Sequence, residues 1–216
     1  MFKVNNIADN IFLLVFDKRE VMCKTLLRFQ EHYESPKFRN KIFTLNEFKE
    51  WYPKSKGTKK FTYYTDWNGF NFPSHILNPF YSGKFKSLSA AEKRILKTFK
   101  DKDGKFYVIG TAKGGDIATR QHEIAHALFY LDKQYKADVT SVVNLLSKKD
   151  YEKFTDELKY LGYTKQVYVD EIHAYLLSHT NEELIRFFKV SKACFSSKKL
   201  IEKMFKDKTE KLDIKT

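Results

Sequence analysis

His122-Glu123-Ile124-Ala125-His126 is a stretch whose residue types and spacing dictate a chemistry. On a helix, side chains four residues apart lie one above the other on the same face, so both imidazoles can point at a single metal ion. Glu123 follows the first histidine by one position and borders that face. A carboxylate there can take a proton from a metal-activated water without filling a coordination position. The expected ion is Zn2+, one per chain. A catalytic zinc normally takes three protein ligands and leaves a fourth position for water, so a third ligand must come from elsewhere in the chain.

A helix has to carry this pentad, and the flanking sequence reads as one. From Ile117 to about Lys133 there is no Gly or Pro, Ala, Leu, Gln and Glu recur, and Asp116 is a natural N-cap after the turn Lys113-Gly114-Gly115. Phe106 to Thr111 (FYVIGT), just before the turn, has the β-branched and aromatic content of a strand. Nearer the N-terminus, Ile11 to Phe16 reads as a buried strand. Asp17 with Glu20 reads as the cap of a helix that Ser35-Pro36 ends near Tyr33. Lys41 to Leu45 reads as a second strand, Thr44 with Glu47 as the cap of a brief helix stopped by Pro53, and FTYYTDW as the best strand candidate of residues 54–83. Ser89 with Glu92 caps a helix over Ala90 to Phe99. Beyond the pentad, helices are expected over Ala137 to Leu146, Tyr151 to Tyr160, Val167 to Leu177 and Glu182 to Phe188, the last capped by Thr180 and Glu183, before a Lys-rich helix or tail. The fold class is α+β: a small mixed sheet packed on the pentad helix, then a mainly helical C-terminal part. The expected division is an N-terminal α/β lobe over 1–105, a core over 106–190 and a tail over 191–216.

The strand FYVIGT, the helix RQHEIAHALFYL and the helix VDEIHAYLL together resemble the catalytic core of a zincin metallopeptidase of the gluzincin type, over roughly Phe106 to Leu177. In such enzymes a second helix presents a carboxylate to the paired histidines. The resemblance implies Glu171, 45 residues beyond His126, as the third ligand. Asp170 and His173 are rivals, since a short helix can be turned from this register. The metzincin alternative requires Gly at 129 and His at 132, where this chain has Phe129 and Asp132. Peptide deformylases take their third ligand from a Cys in a Gly-rich motif, and Cys23 in VMCKTLL has no such setting. In thermolysin-like members an Asp four residues past the ligand Glu orients a histidine; here Tyr175 stands in that place, so the support must come from Asp170 or a backbone carbonyl. The implied activity is peptide-bond hydrolysis with Glu123 as general base and Tyr175, or failing it His173, as a donor to the tetrahedral oxyanion. An extended peptide substrate is expected to pair with the strand over 106–111.

Composition narrows the remaining classes. The chain has 216 residues, 42% apolar and 16% aromatic, which suits a folded domain and excludes a disordered one. Two cysteines far apart, Cys23 and Cys194, exclude a disulfide framework or a cysteine zinc finger. No apolar run approaches the roughly 20 residues of a membrane span, and IFLLVF is too short for a signal-peptide core, so a cytoplasmic protein is expected. The net charge of +13 raises nucleic acid as a partner, but the excess is mostly Lys, with Arg only at 19, 28, 39, 94, 120 and 186, and a solvated surface is the favoured reading. The competing function is a nucleic-acid or protein-binding protein whose zincin-like site is non-catalytic, with Trp51, Tyr52, Tyr63, Tyr64 and Trp67 as a stacking platform.

Overall fold

Four strands make one small mixed sheet: β1 (Phe2–Ala8), β2 (Ile11–Phe16), β3 (Gly69–Pro73) and β4 (Tyr107–Ala112), in the order β1-β2-β4-β3. The structure is a computed structural model and describes residues 2–212, an α+β chain that is mostly helical. IFLLVF is buried along nearly its whole length, as an uninterrupted apolar strand inside a sheet must be. It runs parallel to β4, with Leu14 opposite Gly110, while β3 runs antiparallel on the other side, with Phe70 opposite Gly110. Both hydrogen-bonding edges of β4 are therefore used. An extended peptide has no edge of this strand to join, which corrects the expectation that substrate pairs with residues 106–111. β1 has no clear apolar alternation and is largely exposed, a polar edge strand that periodicity does not reveal.

α1 (Arg19–Glu34) packs against β4, and Gly110 makes room for it: a Cβ there would lie 2.2 Å from Leu26 Cδ1. The helix starts from Lys18 with no side-chain cap; Asp17, the expected cap, instead pairs with Lys113 Nζ at 2.5 Å. Lys41 to Thr44 is irregular, not a strand, and Thr44 and Glu47 close a full capping box on α2 (Leu45–Ser55). Pro53 lies inside that helix instead of stopping it. Within FTYYTDW the chain makes a single helical turn, α3 (Tyr63–Asp66), with Tyr52 Oη and Thr62 Oγ1 both donating to Asp66 Oδ2 at 2.8 and 2.7 Å. The fully buried Tyr63 ring meets Phe48 and Tyr52 edge-on, so tertiary packing overrides the local strand preference. Tyr52 and Tyr63 are core residues, and Trp51, Tyr64 and Trp67 pack against that core. After α4 (Asn78–Tyr81), α5 (Ala90–Phe99) opens with the Ser89 and Glu92 box. The same Glu92 accepts from buried Arg28 Nε and Nη2 at 2.6 and 2.7 Å, tying α5 to α1.

The remaining elements are helices: α6 (Ile117–Leu131), α7 (Lys133–Val143), α8 (Lys148–Leu161), α9 (Tyr168–Ser178), the short α10 (Asn181–Glu183), a π-helical turn over Leu184–Phe188, and α11 (Cys194–Lys211). Asp132 separates α6 from α7 by accepting from the Gln134 and Tyr135 amides at 2.9 and 3.0 Å, which starts α7 earlier than its apolar spacing suggests. The Lys-rich tail is helical through Lys211; its last residues, 213–216, lie outside the described ones. Ile124, Leu128, Val139, Phe154, Ile172, Leu176 and Ile201 are buried side chains of these helices. Contacts divide the chain into two compact units, Met1–Asn6 with Asn10–Gly115, and Ile7–Asp9 with Asp116–Thr216. Among the described residues, no helix is long and apolar enough to cross a membrane.

Candidate metal centre

α6 begins where the Asp116 carboxylate takes the Thr119 amide at 2.5 Å, which sets the phase of the helix and brings His122, Glu123 and His126 against α9. The two Nε2 atoms stand 3.1 Å apart. Glu171 enters from α9, with Oε2 3.8 Å from His122 Nε2 and Oε1 3.7 Å from His126 Nε2. The three ligand atoms lie within 4.8 Å of one another. Two nitrogens each about 2.0–2.1 Å from one tetrahedral ion sit about 3.3 Å apart, so the imidazole pair is already near a zinc spacing.

Hydrogen bonds behind the cluster turn both rings outward to it. His126 Nδ1 donates to Asp170 Oδ1 at 2.8 Å, so in the neutral ring the lone pair is on Nε2. His122 Nδ1 lies 3.2 Å from Ser178 Oγ, and the Ala174 backbone carbonyl also favours a proton on this ring. With both Nδ1 positions protonated, two lone pairs face each other at 3.1 Å, an arrangement that needs a proton or a cation between them. Glu171 Oε2 is buried with no hydrogen-bond partner, and a buried acceptor left unmade is costly. The donor set of two imidazoles and one carboxylate, with an orphaned oxygen aimed among them, fits a divalent cation such as zinc.

Electrostatics point the same way. Burial works against the charge on His126, but the Asp170 and Glu171 carboxylates outweigh it and hold the ring well above its ordinary value. Burial, aided by the neighbouring His126, pushes His122 well below its ordinary value. Burial also drives the Glu171 carboxyl up to about 8, with His126 opposing. Glu123 is buried on the same helix and adds its negative field to both His126 and Glu171. Burial thus leaves Glu171 holding a proton that a bound dication would displace.

The rival ligands fall elsewhere. Asp170 stands behind His126 as its hydrogen-bond partner. His173 is fully buried, bonded through Nδ1 to the Asp170 carbonyl at 2.5 Å and stacked on Phe129, and burial lowers it to about 4. Asp132 caps α7 and pairs with Lys208, well occupied away from the cluster. Tyr175 lies one turn past Glu171, its ring 4.9 Å from that of His122 and packed against His179 and Phe188. Both thiols are buried and unbridged, and burial pushes Cys23 up to about 12 and Cys194 up to about 11. Ser178, which the sequence does not single out, lies seven residues past Glu171 on the helix face of Glu171 and Tyr175. Comparison of the chain with known protein families, curated proteins and solved structures produced no match.

Proposed function

We propose that the chain is a zinc-dependent metallopeptidase of the zincin type, hydrolysing peptide bonds at the His122, His126 and Glu171 cluster. The observation that carries the reading is the convergence of two imidazole Nε2 atoms 3.1 Å apart on a buried Glu171 oxygen that has no other partner. When bound, zinc acidifies water and polarises a carbonyl. Glu123, beside the first histidine and outside the ligand set, accepts the proton of the attacking water on a carboxylate oxygen and delivers it to the departing amine nitrogen as the carbon–nitrogen bond breaks. Asp170 keeps His126 in its Nδ1–H form, so that Nε2 stays available. Tyr175 is the proposed donor to the developing oxyanion, since it lies on the Glu171 face of α9 beside His122.

Metal analysis of the purified full chain, followed by peptide-cleavage profiling of the wild type and Glu123→Gln, tests this. The expected result is one zinc per chain in both proteins and a loss of cleavage in the variant of about 10²–10⁴-fold. A protein that takes up no metal would sink the proposal, and a metal-loaded variant that cleaves at the wild-type rate would remove Glu123 from the mechanism.

A further inference from the structure

Arg120 lies two residues before His122 in α6, partly buried, and its Nε is shut off from water with no hydrogen-bond partner among the described residues. Burying part of a guanidinium without an acceptor is costly. Its position adds to the cost: Arg120 is the fourth residue of α6, near the positive end of the helix dipole, where a cation is disfavoured. The acid one turn earlier offers little relief, since both oxygens of Asp116 already accept from Thr119. Arg28, the buried guanidinium of α1, shows what is missing. It holds the Glu92 carboxylate in a fork through Nε and Nη2. At Arg120 the Nε arm of the same fork is open.

Helical phase gives the direction from which a carboxylate would come. At about 100° per residue, Glu123 stands about 80° round the axis from the direction shared by His122 and His126, and Arg120 about 60° farther the same way. The order round the helix is therefore histidines, base, guanidinium. With the scissile carbonyl at the His122, His126 and Glu171 cluster and the departing amine at Glu123, the leaving half of a peptide runs toward Arg120. We propose that Arg120 is a substrate-binding residue that takes a carboxylate on the leaving half of the peptide, either its C-terminal carboxylate or an acidic side chain; the inference rests on the metallopeptidase reading above. An extended residue spans about 3.3–3.6 Å, and Cβ atoms three apart on a helix lie about 5–6 Å apart, so the carboxylate belongs one or two residues past the cut bond. A guanidinium fork grips a carboxylate with two parallel hydrogen bonds, which is why the substrate class is anionic. The chain's net charge of +13 draws the same class of peptide.

The test uses three matched libraries of short peptides with neutral side chains: one with a free C-terminal carboxylate, one amidated there, and one amidated but carrying Glu at the penultimate position. Cleavage by the zinc-loaded full chain is followed by mass spectrometry, and binding to the chelator-treated full chain by fluorescence anisotropy. At least one carboxylate library is expected to be bound and cleaved about 10–100-fold better than the neutral one, the worth of one charged hydrogen-bonded pair, with the cut one or two residues before the carboxylate. Preference for the first library identifies the C-terminal carboxylate, and preference for the third an acidic side chain. Arg120→Gln is expected to erase the preference in both readouts, and Arg120→Lys, which keeps the charge but not the fork, to retain part of it. Equal handling of the three libraries by the wild type, or a preference that survives in Arg120→Gln, overturns the assignment and leaves the metallopeptidase reading standing. Carboxylate-selective binding through Arg120 in a protein that cleaves no library brings down the metallopeptidase reading and keeps the carboxylate site.

Discussion

The division of labour between Asp170 and Glu171 is settled by adjacency. Neighbours on a helix point about 100° apart, so one carboxylate can face the space between the histidines while the next reaches the back of His126. A single turn of α9 thus supplies both a candidate ligand and the group that fixes the tautomer of another. Asp170→Asn keeps the shape but replaces a charged acceptor with an amide that can present its own donors to Nδ1. Zinc affinity is expected to fall 10–100-fold, measured by chelator competition, with the far-ultraviolet circular dichroism unchanged. An affinity equal to the wild type would mean that the 2.8 Å contact does not support the site. His122 and His126 with Glu123 are readable directly from the pentad, whereas Ser178 is not, because a lone serine at a helix end carries no chemistry until its neighbour across the helix pair is known.

At the scale of elements, capping chemistry was the most legible feature. The boxes at Thr44, Ser89 and Thr180 all form, and Asp116 caps α6, because each needs only residues three positions apart. Strands were less so. FTYYTDW has the composition of a strand and forms a helical turn, since the Tyr63 ring is held among Phe48, Tyr52 and Phe70 from distant parts of the chain. The Arg28 and Glu92 pair is of the same long-range kind: 64 residues separate the partners, and both side chains are nearly excluded from solvent. Arg28→Met would strand the Glu92 carboxylate in the core. Removing one partner of a buried pair costs about 3–5 kcal/mol, so chemical denaturation should show a loss in that range. A loss below about 1 kcal/mol, the level of an exposed pair, would contradict the burial described above.

For the whole molecule, the His122, His126 and Glu171 cluster makes stability depend on pH. Glu171 is raised from 4.5 to about 8 and Glu31 from 4.5 to about 7, both chiefly by burial, and His126 is held well above 6.5 despite its burial, by Asp170 and Glu171. A group whose folded value is raised contributes stability that is complete below its unfolded value and is lost as pH climbs through the folded one. His122 and His173, lowered by burial, act in the opposite sense but only below their unfolded value of 6.5. The metal-free protein should therefore lose stability from about pH 6.5 to 8, and thermal melts across that range check it. Glu171→Gln, neutral at every pH, should flatten this slope and raise the melting temperature of the metal-free protein at pH 8, while weakening zinc binding. A slope unchanged by the substitution would place the titration elsewhere. The sequence by itself determined the two histidines and the carboxylate beside them, the α+β class and most helix starts, because these depend on spacings of three or four residues that backbone geometry converts straight into position. Only the tertiary structure decided which carboxylate meets the histidines, that β4 is interior and closed to a peptide, and that Ser178 stands behind His122. Each of these depends on which faces of distant segments meet, and close packing fixes that through contacts that no local pattern records.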